Sequence, residues 1–288
     1  MGLRESLQKY LLENTEFPKD LIAYLPSGFQ QLSHRAILNL QPQVISYAHL
    51  IAEAIPKVVP QIISVWNRSG IIEGPFREPA GLTHLWGDPS TEIINHENGI
   101  KYKFDFTKIM FAKGNVNERA YIPTTLQPGE IIIDMFSGIG YFTLGIAKSR
   151  KPQHIYAIEW NPTSFHYLQE NLKLNHVEDL VTPINGDCKI ETPKLVAQGI
   201  KADRILMGLL PAPKDCIPAA LTAIKKEGTI VLYEGVEPEE STSLFDEFTQ
   251  VAQEHGFQTS LKERRIVKSY APKLFHIVVE IIVKSKIA

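Results

Sequence analysis

The run Asp134-Met-Phe-Ser-Gly-Ile-Gly140 carries most of the chemistry legible in this chain. Small residues after a strand let the backbone approach a ligand closely and turn amide N–H groups towards it at the next helix. Two acids follow, each one strand–helix unit further on. Glu159, closing the next apolar run, can accept hydrogen bonds from both hydroxyls of a ribose. Asp187, in Asn185-Gly-Asp187, can accept from an adenine amino group. Each piece alone has a structural explanation, a tight turn or a strand-terminal acid. Their joint order over successive units announces an S-adenosylmethionine-binding Rossmann-like domain over about residues 128–240. A dinucleotide-binding variant fits less well, because Thr143 stands where Gly-x-Gly-x-x-Gly requires its third glycine.

The elements that must position these residues follow from apolar patterning. After Pro128-Gly129, β-branched runs at 131–136, 155–160, 181–185, 205–210 and 229–233 alternate with helical stretches near 141–148, 161–174, 192–198 and 216–226. Short continuous apolar strands alternating with helices predict a parallel sheet covered on both faces. A helix near 243–255 precedes two last strands, around 259–269 and 275–283, whose short Tyr-Ala-Pro-Lys connection predicts an antiparallel edge hairpin. Upstream, Leu7, Tyr10 and Leu11 mark a short amphipathic helix, and 34–40 and 61–66 read as strands. Residues 44–55 have helical spacing that stops at Pro56. Asn98-Gly99 between alternating segments marks a hairpin over 91–106. The expected organisation is an N-terminal α+β region over 1–75 that can contact RNA, a hairpin-containing connector over 76–127, and the Rossmann-like domain over 128–288. That last domain is expected to hold a mostly parallel seven-stranded sheet.

Charge gives no support to a generally basic nucleic-acid-binding protein: the net charge is −2, and neither half of the chain is biased. The two cysteines, Cys188 and Cys216, lack metal-site spacing and read as reduced thiols, so no metal is expected. No run approaches the ~18 apolar residues of a membrane span. A cytoplasmic protein with no membrane association is the expectation.

Three segments resemble one family closely: Phe104-Asp-Phe-Thr-Lys-Ile-Met-Phe-Ala-Lys-Gly-Asn-Val-Asn-Glu118-Arg119, Asp134-Met-Phe-Ser-Gly-Ile-Gly-Tyr-Phe-Thr143 and Glu159-Trp-Asn-Pro162. The family modifies position 37 of tRNA. It holds guanosine-37 N1-methyltransferases and the aminocarboxypropyltransferases of wybutosine biosynthesis, and the resemblance spans about residues 75–283. The methyltransferases end the fourth strand with an Asn-Leu-Pro type motif. Here Gly208-Leu-Leu-Pro211 looks like the aminocarboxypropyltransferase version. The resemblance therefore implies transfer of the 3-amino-3-carboxypropyl group of S-adenosylmethionine to C7 of 4-demethylwyosine in the anticodon region of tRNA-Phe, releasing methylthioadenosine. Methyl transfer to guanosine-37 and a non-catalytic S-adenosylmethionine-binding module are the alternatives.

Carried over residue by residue, the resemblance puts Arg119 against the methionine side or ribose, Glu159 on the ribose, and Asp187 with the Cys188 backbone on adenine. Asp134, Phe136, Gly138, Gly140 and Asn161 complete the expected cofactor contacts. The family often has Ser and Lys where this chain has Ala112 and Arg119, so a hydroxyl contact is lost and one cation replaces another. No catalytic residue is assigned. His96, Glu118 and Tyr270 can be imagined as proton acceptors, but each has a structural reading. RNA contact is expected from Lys101, Lys103, Lys108 and Lys113 at the hairpin, from Lys148, Arg150 and Lys151, and from Lys262, Arg264, Arg265 and Lys268 on an edge strand. No stable protein partner is implied.

Overall fold

Leu7 and Leu11 lie one helical turn apart and both are fully buried, so α1 (Leu3–Asn14) seats one apolar stripe in a core. The computed structural model describes residues 2–70, 72–73, 78–111 and 113–285. It forms two units, one of Met1–His96 with Lys103–Phe111 and one of Glu97–Tyr102 with Ala112–Ala288.

In the first unit, β1 (Gln30–Leu32) and β2 (Arg35–Leu38) are antiparallel, and α2 (Ala48–Val58) packs on α1. β3 (Ser64–Arg68) runs parallel to β2. A two-residue pair, β4 (Ile72–Glu73) and β5 (Glu78–Pro79), precedes β6 (Leu82–Gly87), which completes the order β1-β2-β3-β6. β6 was not legible in the sequence, because Thr83 and His84 interrupt its apolar alternation. The helix expected to stop at Pro56 opens as a 3-10 turn over Pro42–Tyr47 and continues to Val58. Pro56 costs the helix one donor, to the Ala52 carbonyl, yet α2 continues and closes with the Val59 N–H on the Ile55 carbonyl at 2.8 Å.

β7 (Glu92–Glu97) and β8 (Ile100–Asp105) form the expected hairpin, with Asn98 and Gly99 both at positive φ, 51° and 75°. Its tip belongs to the second unit and its base to the first, so the stretch 76–127 is divided between the two.

The second unit begins with α3 (Val116–Tyr121) and then alternates strand and helix: β9 (Ile131–Asp134), α4 (Thr143–Lys148), β10 (His154–Glu159), α5 (Pro162–Asn175), β11 (Val181–Asn185), α6 (Cys188–Ala197), β12 (Arg204–Met207), α7 (Ile217–Thr222) and β13 (Thr229–Glu237). After α8 (Ser243–Glu254), β14 (Phe257–Ala271) and β15 (Leu274–Ser285) form the antiparallel hairpin. The seven strands lie in the order β11-β10-β9-β12-β13-β15-β14, parallel up to β13. One face is apolar: Ile133, Met207, Tyr233, Ile277, Val279 and Ile281 pack with Leu221 and Phe248 of the covering helices. The alternate residues on the other face are a different population, including the buried Asp134, Arg204, Glu234, His276 and Glu280.

Candidate active site

Ligands of open parallel sheets sit at the carboxyl ends of the strands, and here β9, β10 and β11 end in Asp134, Glu159 and Asn185-Gly-Asp187. Gly138 and Gly140 both take positive φ, 56° and 98°. A Cβ on Gly138 would stand 2.6 Å from the Tyr141 ring, so the turn requires glycine for space as well as for conformation. Asp134 Oδ2 accepts from Thr143 Oγ1 at 2.7 Å, and Oδ1 from the Phe136 N–H at 3.3 Å. Thr143, which displaces the third glycine of the dinucleotide pattern, thus ties α4 to the strand end. Ser137 Oγ donates to the Ile158 carbonyl at 3.0 Å and pins the turn to β10.

Glu159 accepts the Gly138 N–H on Oε2 and the Asn161 N–H on Oε1, both at 2.7 Å. Each carboxylate oxygen has a second lone pair, so both ribose hydroxyls can still be accepted. Burial pushes the Glu159 carboxyl up, against the backbone donors that favour its charged form. The side chain of Asn161 caps α5, accepting from Thr163 N–H at 2.9 Å. Asp187 caps α6 through Oδ1, accepting from Lys189 N–H at 2.8 Å. Cys188 is buried in the apolar core with a free thiol, and Phe136 packs half-buried against the same core. Trp160, not singled out as a site residue in the sequence, is 51% exposed beside Glu159.

Arg119 has a different setting from the strand-end residues. Its Nε and Nη2 donate to Glu97 Oε1 and Oε2 at 2.6 and 2.8 Å, a buried bidentate pair between α3 and the tip of the β7–β8 hairpin. The guanidinium carbon lies 5.9 Å from the Tyr141 ring centroid, one ring away from the glycine turn. Ala112 lies outside the described residues.

On and beside the sheet's other face, Glu234 and His276 join residues already read from the sequence. Gly208 directly follows β12, where a Cβ would stand 2.8 Å from the Phe142 ring and 3.8 Å from Glu234 Cδ. Glu234 Oε2 and His276 Nε2 are 3.1 Å apart. Glu118 is held by Arg265 of β14, and Tyr121 Oη donates to Glu263 at 3.1 Å. His96 and Tyr270 lie in no comparable cluster among the described residues.

Asp134 has a measurable consequence for stability. Burial, opposed by the Thr143 and Phe136 hydrogen bonds, pushes its carboxyl up to about 7. Folding therefore draws a proton onto Asp134 between its unfolded value of about 3.9 and about 7. Its contribution to stability is fully present below that window and is lost as pH rises through about 7. Asp134→Asn removes the ionisation. The stability of the variant relative to wild type is expected to rise by a few kcal/mol from about pH 4 to 7. A flat difference in urea midpoints across that range would contradict this.

Comparison with known proteins agrees with the geometry. The TRM5/TYW2 methyltransferase domain model matches residues 93–260, and the TYW2 N-terminal domain model matches residues 7–91. The chain belongs to the TRM5/TYW2 family. Within that family it is 35% identical over 282 residues to a tRNA(Phe) (4-demethylwyosine(37)-C(7)) aminocarboxypropyltransferase of Pyrococcus horikoshii, covering 97% of both chains. It is 32% identical to the tRNA (guanine(37)-N(1))-methyltransferase Trm5b of Pyrococcus abyssi, covering 93% of this chain and 78% of that one. The crystal structure of P. horikoshii TYW2 in complex with MeSAdo superposes with a TM-score of 0.81 at 31% identity, covering 99% of this chain and 100% of that one. The TRM5/TYW2 assignment agrees with the strand order and the carboxyl-end acids. No helix among the described residues is long and apolar enough to cross a membrane.

Proposed function

We propose that this TRM5/TYW2 protein transfers the 3-amino-3-carboxypropyl group of S-adenosylmethionine to C7 of 4-demethylwyosine at position 37 of tRNA-Phe. The observation that carries this reading is the end-to-end match to a C7 aminocarboxypropyltransferase, which includes an N-terminal unit of the TYW2 type. The residues fit the cofactor. Gly138 and Gly140 give the turn its positive φ, Glu159 has lone pairs left to accept the ribose hydroxyls, and Asp187 would take the adenine end.

S-adenosylmethionine supplies an electrophilic Cγ beside a sulfonium: the C7–Cγ bond forms, the Cγ–S bond breaks with its electron pair moving to sulfur, and C7 then releases its proton. The chain's task is positioning, which means holding the reacting atoms at about 3–3.5 Å and in line. Gly208 has a specific part in this. A side chain at that position would fill the space between Phe142 and Glu234 where a methyltransferase-type motif presents asparagine. Gly208→Ala is expected to lower the transfer rate at least about tenfold through overpacking against Phe142. An unchanged rate would show that this space is not used.

Recognition of tRNA relies on fewer cations than the sequence suggests. On β14, Lys262 pairs with Glu280, Arg264 with Glu237 and Arg265 with Glu118, Glu263 and Glu280. Arg150 pairs with Asp179, and Lys151 donates to the Pro123 and Thr124 carbonyls. Lys101 is exposed on the hairpin, and Lys108 is exposed beside it with Asp105 3.8 Å away. The reading is tested by incubating the protein and S-adenosylmethionine with tRNA-Phe carrying 4-demethylwyosine, then digesting to nucleosides. A nucleoside heavier by one aminocarboxypropyl group is expected, with no product from tRNA bearing unmodified guanosine-37. Methylated guanosine in the second sample would overturn the proposal.

A further inference from the structure

Arg35, Arg119, Arg150, Arg204, Arg264 and Arg265 each meet a carboxylate within 3.0 Å. Arg4 and Arg68 meet none among the described residues. Arg4 Nε donates instead to the Leu25 carbonyl at 2.8 Å. Arg68, half-buried in the N-terminal unit, is less well satisfied. Its Nη2 donates to Gln30 Oε1 at 3.1 Å, but its Nε is buried without a hydrogen-bond partner. Burial pushes this guanidinium below its ordinary range. A cation drawn out of water with no acid to meet it is costly, so its retention calls for an anionic ligand.

Arg68 lines a cavity of about 320 Å³ whose other walls include Ser27, Gly28, Phe29, Gln30 and Asn39, and no acidic side chain lines it. Sheet topology brings these residues together. Gln30 opens β1, Asn39 follows β2 and Arg68 closes β3. The pairings of Gln30 with Ile37 and of Leu38 with Asn67 set all three at one end of the sheet. Gln30 is the positioning residue: its Oε1 orients the guanidinium, and its Nε2 donates to the Phe111 carbonyl at 3.4 Å. Ser27 and Asn39 are exposed and add a hydroxyl and a carboxamide to the cavity. Gly28 is open too, since a Cβ there would meet nothing within 4 Å.

A held guanidinium among neutral donors, with no acid in the cavity, matches a phosphate, whose oxygens accept from a planar fork. We propose that this cavity is a phosphate site of the N-terminal unit, in which Arg68 takes one backbone phosphate of the RNA substrate. A mononucleotide or free phosphate carries the same group, so the test separates those sources from RNA. The site rests on the tRNA reading above and deepens it. The cations of β14 are already held by acids, and Arg68 supplies a contact that lies outside the catalytic unit.

The test titrates the full chain with tRNA-Phe bearing 4-demethylwyosine over a range of salt concentrations. Each phosphate neutralised by a cation steepens the fall of log affinity with log salt by about 0.7–0.9. Arg68→Met is expected to weaken tRNA about tenfold at low salt and to make that slope shallower by about one. Arg68→Lys keeps the charge but loses the planar fork, so it is expected to bind more weakly with the slope retained. Gly28→Asp sets an anion in open space at the site and is expected to weaken tRNA severalfold, where Gly28→Ala is silent. This second pair keeps the test decisive if Arg68→Met disturbs folding. Unchanged tRNA affinity in Arg68→Met and Gly28→Asp, or a weakened Arg68→Met with an unaltered slope, would overturn the site. The wild-type chain is also titrated with inorganic phosphate and with adenosine monophosphate. Tight binding of either that Arg68→Met abolishes, with tRNA affinity unchanged, would assign the cavity to a small anion and overturn the RNA contact. If the wild-type chain bound no tRNA even at low salt, the tRNA reading itself would fall and the site with it.

Discussion

Glu159→Ala is expected to weaken S-adenosylmethionine binding by roughly 100-fold or more. The carboxylate would accept two ribose hydroxyls, and hydrogen bonds to a charged group contribute about 1.5–3 kcal/mol each. The substitution also strands the Gly138 and Asn161 N–H groups, which now donate to Glu159 at 2.7 Å. That second loss acts on the glycine turn itself, so the cradle loosens as well as losing an acceptor. Glu159→Gln keeps one acceptor oxygen and places a donor against one of those N–H groups, so an intermediate loss is expected. Calorimetric titration of both variants checks the order. An alanine variant within about threefold of wild type would mean that Glu159 serves the turn and not the ligand.

The largest stability effect is expected at Arg204, a fully buried arginine on the strand that delivers Gly208. Its Nε and Nη2 donate to Glu130 at 2.9 and 3.3 Å, and Nη1 lies 3.9 Å from Glu280. Burial alone would raise the Glu280 carboxyl, but Lys262, Arg265 and Arg204 outweigh it and hold it below the usual range. Arg204→Met fits the space but leaves Glu130 buried without its cation, which costs about 3–5 kcal/mol. The melting temperature is expected to fall by roughly 10 °C. Glu130→Gln added to Arg204→Met should recover part of that loss, since the stranded charge is then gone. Additive losses in the double variant would show that the two residues stabilise the sheet independently.

The strand ends were legible because their signals are local. Asp134 to Gly140 is one turn, and Glu159 and Asp187 each close a β-branched run, so order along the chain is nearly order in space. The polar face was not legible. Glu234 pairs with His276, 42 residues on, and Arg204 with Glu130, 74 residues back. A lone charge within an apolar strand looks like the end of that strand: the run beginning at Thr229 was expected to close at Tyr233, one residue before Glu234. The cations of β14 misled for the same reason. Lys262, Arg264 and Arg265 appear as a basic stripe in one dimension, yet their carboxylate partners come from α3, β13 and β15. Gly208 was legible as a departure from an asparagine motif, but the space it leaves between Phe142 and Glu234 appears only in three dimensions.

The same cofactor can be cleaved at its methyl or at its Cγ, so the decisive observation is which sulfur compound the protein leaves behind. Purified protein is incubated with S-adenosylmethionine and tRNA-Phe bearing 4-demethylwyosine, and the small-molecule fraction is resolved by liquid chromatography and mass spectrometry. Methylthioadenosine, equimolar with modified tRNA, is the expected result. S-adenosylhomocysteine in its place would contradict transfer of the aminocarboxypropyl group and assign this chain to the methyltransferase branch.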